Sequence, residues 1–173
     1  MKTPPVRSHD AFTLIELLIV ILVLAIAAAI VIPSIGSASE SQAIAAARVL
    51  QSDLEVTRSL AVTTQQPYSL VFSPDRQSYK VVVNYSGAPY ASVVPVGHPV
   101  NRGQSFEVTF SGLNGMQSVV VTSANFGGQA YATFQPLGDP VSPGSVVLRS
   151  GNSEMTVAVE GLTGIITAVR TGG

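Results

Sequence analysis

The sequence predicts an α+β protein: one long N-terminal helix, transmembrane in its first half, packed on a C-terminal antiparallel β-sandwich. Three observations lead there. An unbroken apolar run extends from Phe12 to Ile32. Amphipathic helical spacing follows it to about Thr64. Beyond Gln66 apolar and polar residues alternate with period two, interrupted by Gly and Pro. The predicted segments are therefore a polar leader at 1–11, a membrane-length helix at 12–32, its amphipathic continuation at 33–64 and a β-rich head at 65–173.

Composition bounds the function. A chain of 173 residues suits one modest domain plus an appendage. Charged residues are only 11% against 46% hydrophobic, with a mean hydropathy of +0.41, and most of that excess sits in the N-terminal run. The net charge of -1 leaves no basic surplus for a nucleic-acid backbone. Cysteine is absent, which excludes disulfides and thiolate metal sites. Tryptophan is absent too, so the core must come from Val, Leu, Ile, Phe and Tyr.

As a helix, 12–32 extends about 31 Å, against a hydrocarbon core of about 30 Å. Lys2 and Arg7 precede the run and the next positive residue is Arg48, so the positive-inside rule keeps the N-terminus cytoplasmic and sends the remainder outward. A cleaved secretory signal has a shorter apolar region, about 7–15 residues, although Ser34 to Ala38 offer small residues for cleavage. A plain signal anchor and a buried core helix are the other readings. Glu16 separates them, because a carboxylate at the start of an apolar segment is costly unless paired. Neither a signal peptide nor a plain anchor needs one there.

The stretch Ala11-Phe12-Thr13-Leu14-Ile15-Glu16-Leu17-Leu18 resembles the class III signal of type IV pilins and type II secretion pseudopilins. The resemblance implies that a prepilin peptidase cuts between Ala11 and Phe12, and that Phe12 is then N-methylated. It assigns Glu16 to assembly and register, and Pro33 to the family's helix-kinking proline. Ala11 departs from the Gly that the family prefers before the cut, and is its nearest small substitute. The chemistry is coherent. A freed α-amine has a reference pKa of about 7.7–8.0 and is mostly protonated at neutral pH. Its charge can meet Glu16 of a neighbouring subunit, and removing either partner from an apolar setting costs several kcal/mol. Pro33 removes a backbone donor and crowds the preceding turn.

After Pro33, Ala43, Ala47, Leu50, Leu54 and Ala61 recur near every third or fourth position, while Gln51, Asp53, Glu55 and Arg58 occupy the remaining surface. Candidate strands are Tyr68–Ser73, Ser78–Tyr85, Ser105–Ser111, Gln117–Ser123, Ala130–Phe134, Ser145–Arg149, Glu154–Glu160 and Gly164–Val169. In the third, Phe106, Val108 and Phe110 share one face, opposite Glu107 and Thr109. Pro74-Asp75 and Gly151-Asn152 read as hairpin turns.

The head is similar to the GspH/FimT minor pseudopilins in Arg58-Ser59-Leu60-Ala61, in Phe134, Pro136 and Gly138, and in the closing Thr163-Gly164 strand. This implies a non-enzymatic fibre subunit of a type II secretion or type IV pilus-like machine. Its partners would be other pseudopilins or pilins through the N-terminal helix, the prepilin peptidase and an inner-membrane assembly platform. Its place would be the bacterial inner membrane, single pass, with a periplasmic head, and then the pseudopilus.

No catalytic constellation is read. His9 lies in the leader and His98 in a Pro/Gly-rich loop; one mature histidine without cysteine makes a poor zinc site. Asp75, Glu107, Asp139, Glu154 and Glu160 are scattered, without calcium-loop spacing. Gly127-Gly128 reads as a turn, since no P-loop Lys follows. No cofactor, metal or small-molecule ligand is expected. DNA uptake is the rival function, because some FimT members hold DNA with arginines in a terminal Gly-Arg-x-Arg. Here Ile165 and Thr167 stand in those places after Gly164, leaving Arg149 and Arg170 as isolated charges, so nucleic acid is not the expected partner. A membrane-anchored periplasmic domain that never polymerises is the other alternative. Loops 87–103 and 135–144 read as partner contacts or as long connectors.

Overall fold

The computed structural model describes residues 13–172, apart from the side chains at 29–37. The chain divides into two compact units, 1–36 and 37–173. Helix α1, Leu14–Thr64, supplies the described part of the first unit and opens the second. In the first unit every described residue, 13–28, is exposed although nearly all are apolar. In the second, Ala43, Ala46, Ala47, Leu50, Leu54 and Ala61 are fully buried. Their spacing places them on one stripe of the helix. α1 stops where Gln65 takes φ 56° and Pro67 withholds a donor. Thr64 Oγ1 donates to Leu60 O at 2.7 Å and Gln65 Nε2 to Val62 O at 2.7 Å, satisfying carbonyls of the last turn.

Eight strands follow: β1 (Tyr68–Phe72), β2 (Ser78–Val83), β3 (Glu107–Thr109), β4 (Val120–Phe126), β5 (Tyr131–Phe134), β6 (Gly144–Ser150), β7 (Ser153–Val159) and β8 (Ile166–Gly172). They form two four-stranded antiparallel sheets, ordered β3-β2-β1-β5 and β4-β6-β7-β8. Alternate residues such as Leu70, Tyr79, Phe134, Val146, Leu148 and Val157 join the helix stripe in one core. The two-residue turn at Gly151-Asn152 closes β6 on β7 through Ser150↔Ser153, with Gly151 at φ 57°.

The strands match the sequence reading to within two residues at each end except β4 and β8, and three, β3, β4 and β8, differ for identifiable reasons. β3 is shorter, because Phe106 N–H bonds to Val96 O at 2.7 Å and Phe110 begins a 3-10 turn. The predicted alternation survives: Phe106 and Phe110 are buried, while Glu107 and Thr109 are exposed. β4 begins later than the predicted Gln117, since turn bonds from Leu113, Met116 and Val119 N–H to the carbonyls three residues back occupy that stretch. A register shift between Val121 and Ser123 then re-aims the strand. β8 begins at Ile166, because Gly164 sits at φ 64° in the preceding turn.

Loop 87–103 is strapped down. Val96 N–H donates to Val81 O at 2.8 Å, and Gly97 bridges Ser105. Tyr90 OH lies 3.0 Å from Ser78 Oγ, with Lys80 Nζ 4.4 Å from its ring centroid and 3.7 Å from Glu107. Tyr85 meets Tyr131 edge-on at 4.9 Å. β1, between β2 and β5 in its sheet, is buried along its whole length, on both faces.

Candidate functional site

Of the residues that the sequence marks for processing and assembly, Ala11 and Phe12 lie outside the described residues. Pro33 lies within α1, where its side chain is not described. Glu16 is in the first helical turn and exposed. Thr13 precedes the helix as its N-cap: its Oγ1 accepts the Glu16 N–H at 3.3 Å, and its carbonyl accepts Glu16 and Leu17 N–H at 3.1 and 3.2 Å. Thr13-x-x-Glu16 therefore has capping-box spacing. A carboxylate at this end of a helix is also favoured by the aligned peptide dipoles. Glu16 thus has a local role besides the one its resemblance implies. Among the described residues no helix is long and apolar enough to cross a membrane. The run read at 12–32 extends past the fully described stretch at both ends.

The second place is the seam between α1 and the strands, within 37–173. Gln51, Asp53 and Arg58, assigned to the free helix surface by the sequence, all reach across it. Gln51 Nε2 donates to Ile166 O at 3.0 Å. Tyr79 OH, fully buried, donates to Asp53 Oδ2 at 2.5 Å. Burial raises the Asp53 carboxyl above its ordinary range, against the opposing pull of the Tyr79 hydrogen bond and of nearby His98. Burial, reinforced by the Asp53 charge and hydrogen bond, pushes the Tyr79 phenol well above its own. Of the four polar residues, Glu55 alone stays exposed, beside the Gln51 amide at 3.3 Å.

Arg58 makes the most informative contact. Its Nε donates to Gly138 O at 2.9 Å and its Nη2 to Thr163 O at 3.0 Å. One guanidinium thereby ties loop 135–143 to the turn before β8. The glycines belong to the same arrangement. A Cβ on Gly164, φ 64°, would come within 2.6 Å of Gly138 O and 3.2 Å of Arg58 Nε. One on Gly138, φ 88°, would meet Val62 Cγ2 at 3.1 Å. Arg58, Gly138 and Thr163-Gly164, separate head motifs in the sequence, therefore meet at one point. A signal for this was present: Arg58 lies four residues after Leu54 and three before Ala61, on the spacing of the buried stripe.

Elsewhere the chemistry is structural. His98 Nδ1 accepts Val100 and Asn101 N–H at 3.2 and 3.1 Å and its ring lies 4.6 Å from Phe106. The two arginines expected as isolated charges are paired: Arg170 with Glu40 at 2.5 Å, and Arg149 with Glu154 at 3.9 Å. Among the described residues no group of three or more His, Asp or Glu could hold a metal ion.

Comparison with known proteins finds two matching family models and similar solved structures. The family described as Type II transport protein GspH matches residues 46–163, and the Prokaryotic N-terminal methylation motif matches residues 7–32. No curated protein matches the sequence. Among solved structures, the fold is similar to that of the minor pseudopilin EpsH from the type 2 secretion system of Vibrio cholerae, with a TM-score of 0.54 at 9% identity over 75% of this chain and 97% of that one. It is likewise similar to the type IV minor pilin FimU of Pseudomonas aeruginosa, with a TM-score of 0.53 at 15% identity over 77% of this chain and 93% of that one.

Proposed function

This chain belongs to the family of the type II transport protein GspH, and from that premise we propose that it is a minor subunit of a pseudopilus, made as a membrane prepilin and recruited through its N-terminal helix. The observation that carries the reading is the conjunction, in one chain, of the family match over the head and a methylation motif at 7–32. Its work is mechanical: no bond is made or broken by its own side chains.

Processing between Ala11 and Phe12 frees an α-amine, which is methylated and stays cationic near neutral pH. The helix waits in the inner membrane with the head in the periplasm. On assembly the Phe12 ammonium of one subunit meets the Glu16 carboxylate of its neighbour, and the helical faces exposed over 13–28 become buried between subunits. Pairing is what makes an acid tolerable there, and its fixed position sets the axial register. The Pro33 ring loosens the helix at the membrane exit. The prepilin peptidase, the other fibre subunits and an assembly platform are the partners this sequence of events requires.

The capping geometry makes the test discriminating. Glu16→Leu removes the charge and keeps the backbone N–H that Thr13 Oγ1 accepts, whereas Thr13→Ala removes the cap and keeps the charge. Incorporation into sheared fibres should fall more than about a hundredfold for Glu16→Leu, as a buried unpaired charge worth about 3–5 kcal/mol requires. Thr13→Ala should lower it by no more than about tenfold, the equivalent of a lost N-cap. Membrane insertion should be unchanged in both. Equal incorporation of Glu16→Leu and wild type would leave a plain anchored domain. Mass spectrometry of the purified native protein should find methylated Phe12 as its first residue.

A further inference from the structure

The two sheets end in four edge strands, β3, β5, β4 and β8. An unpaired edge is a template for another chain, and folded proteins blunt it. β3 has only three residues. β5 is covered where Val141 N–H donates to Thr133 O at 2.8 Å. β4 is broken by its register shift, and Arg76 Nη1 donates to its Thr122 O at 2.7 Å. β8 is seven residues long and holds no proline or lysine. Among the described residues its outer edge is met only at Ile166 O, by Gln51 Nε2.

The ladder identifies the open groups. Glu160 N–H donates to Ile165 O at 3.0 Å, which sets the alternation along the β7–β8 pair. Thr167, opposite Ala158, and Val169, opposite Thr156, therefore turn their N–H and C=O toward β7. Ile166, Ala168 and Arg170 turn theirs away from it, and the Gln51 bond to Ile166 O has the phase this requires. The Ala168 and Arg170 backbone is left open. Beside this edge runs α1, antiparallel to β8: Gln51 meets Ile166, and Glu40 pairs with Arg170. Arg48 lies between those two contacts along the helix, exposed and without an ion pair among the described residues. A hydrogen-bonding edge and a free cation thus border the same groove.

We propose that an extended segment of a different fibre subunit adds to β8 as a fifth strand, bonded to the Ala168 and Arg170 backbone, with an Asp or Glu against Arg48. This rests on the fibre-subunit reading above and deepens it by naming a contact. Main-chain bonds supply affinity in strand addition, and alternate side chains supply specificity. Here one set would face α1, and the other would stand beside the exposed Thr167 and Val169. A second copy of this chain suits the edge badly, because pairing β8 with itself brings Arg48 toward Arg48, a like-charge contact. With a different chain as occupant, the contact does not propagate this one along the fibre.

The test places a photo-cross-linker at the edge. Full-length chain carrying p-benzoylphenylalanine in place of Val169, which is half exposed, is expressed in cells that assemble the fibre, irradiated, and its adduct identified by mass spectrometry. The expected adduct is an extended segment of another fibre subunit that contains an acidic residue. Ala168→Pro removes an outward N–H and no bond to β7, a position that edge strands tolerate, and should lower the adduct yield about tenfold. Arg48→Glu should lower it about two- to fivefold. Amide exchange of the isolated full-length chain in detergent gives a measurement that needs no substitution: the Ala168 amide should exchange at least about tenfold faster than those of Thr167 and Val169. If Ala168→Pro fails to fold, Arg48→Glu and the exchange rates decide. An adduct with a second copy or with a protein outside the fibre would overturn the proposal, as would no adduct at all. So would a yield unchanged by either substitution in folded protein, or an Ala168 amide as protected as its neighbours. Failure in any of these ways while Glu16→Leu still blocks incorporation leaves the fibre-subunit reading standing and removes only the strand contact.

Discussion

Helix α1 carries two kinds of apolar surface on one continuous backbone. Apart from Glu16 it is apolar over 14–28, and Leu14, Ile15, Leu17 and Leu24 are each more than half exposed. Over 43–61 the apolar residues narrow to a stripe of alanines and leucines, fully buried against the strands. A stripe needs one partner, and the chain supplies it. A helix apolar all round needs partners on all sides; among the described residues none covers 14–28, and on the reading proposed above lipid or neighbouring helices supply the cover. The comparison separates a segment built for its own fold from one built for its surroundings.

Substitutions in the two segments should therefore behave differently. Leu54→Ala removes a fully buried side chain and should cost the head about 2–5 kcal/mol in denaturant unfolding. Leu18→Ala, in the exposed segment, should leave that value within about 0.5 kcal/mol. An equal loss from both would break the distinction.

Polar residues sharpen the comparison further. Gly164→Ala must adopt φ 64° and place a Cβ against a backbone oxygen, so a loss of about 2–3 kcal/mol in thermal unfolding is expected. Arg58→Ala deletes both bonds to loop carbonyls and should cost about 2 kcal/mol. Faster hydrogen exchange should follow in 136–140 and 161–165, with little change in β1 or β2.

The smallest effect is expected at Asp53. Its folded carboxyl titrates above its ordinary 3.8, so the native state binds this proton more tightly than the unfolded chain. The stability this contributes is complete below 3.8 and is lost as pH rises through the raised folded value. Asp53→Asn keeps an oxygen for the Tyr79 hydroxyl and removes the titration. It should unfold within about 1 kcal/mol of wild type at neutral pH and show a flatter stability profile above 3.8 in urea melts at successive pH values. A steeper profile would contradict the desolvated environment assigned to Asp53.

Much of this was legible in the residues. Ala43, Ala47, Leu50, Leu54 and Ala61 occupy the positions that helical spacing gives a buried face, and all five are buried. Period-two alternation located all eight strands to within a few residues, because a strand with one face on a core cannot slip by one residue without exposing it. Boundaries drifted where turns intervene, at β3, β4 and β8, since a bond from Phe106 to Val96 leaves no mark on local periodicity.

By itself the sequence determined the order of elements, the apolar N-terminal run with its single acid, and the stripe that joins helix to head. These are local patterns, set by backbone geometry and side-chain polarity. Only the tertiary structure decided that Asp53, Gln51 and Arg58 belong to the seam, and that Gly138 and Gly164 need to be glycine. Their partners lie 26, 115, 80 and 105 residues away along the chain. A polar side chain on a helix border faces water or a carbonyl according to what the rest of the fold brings beside it.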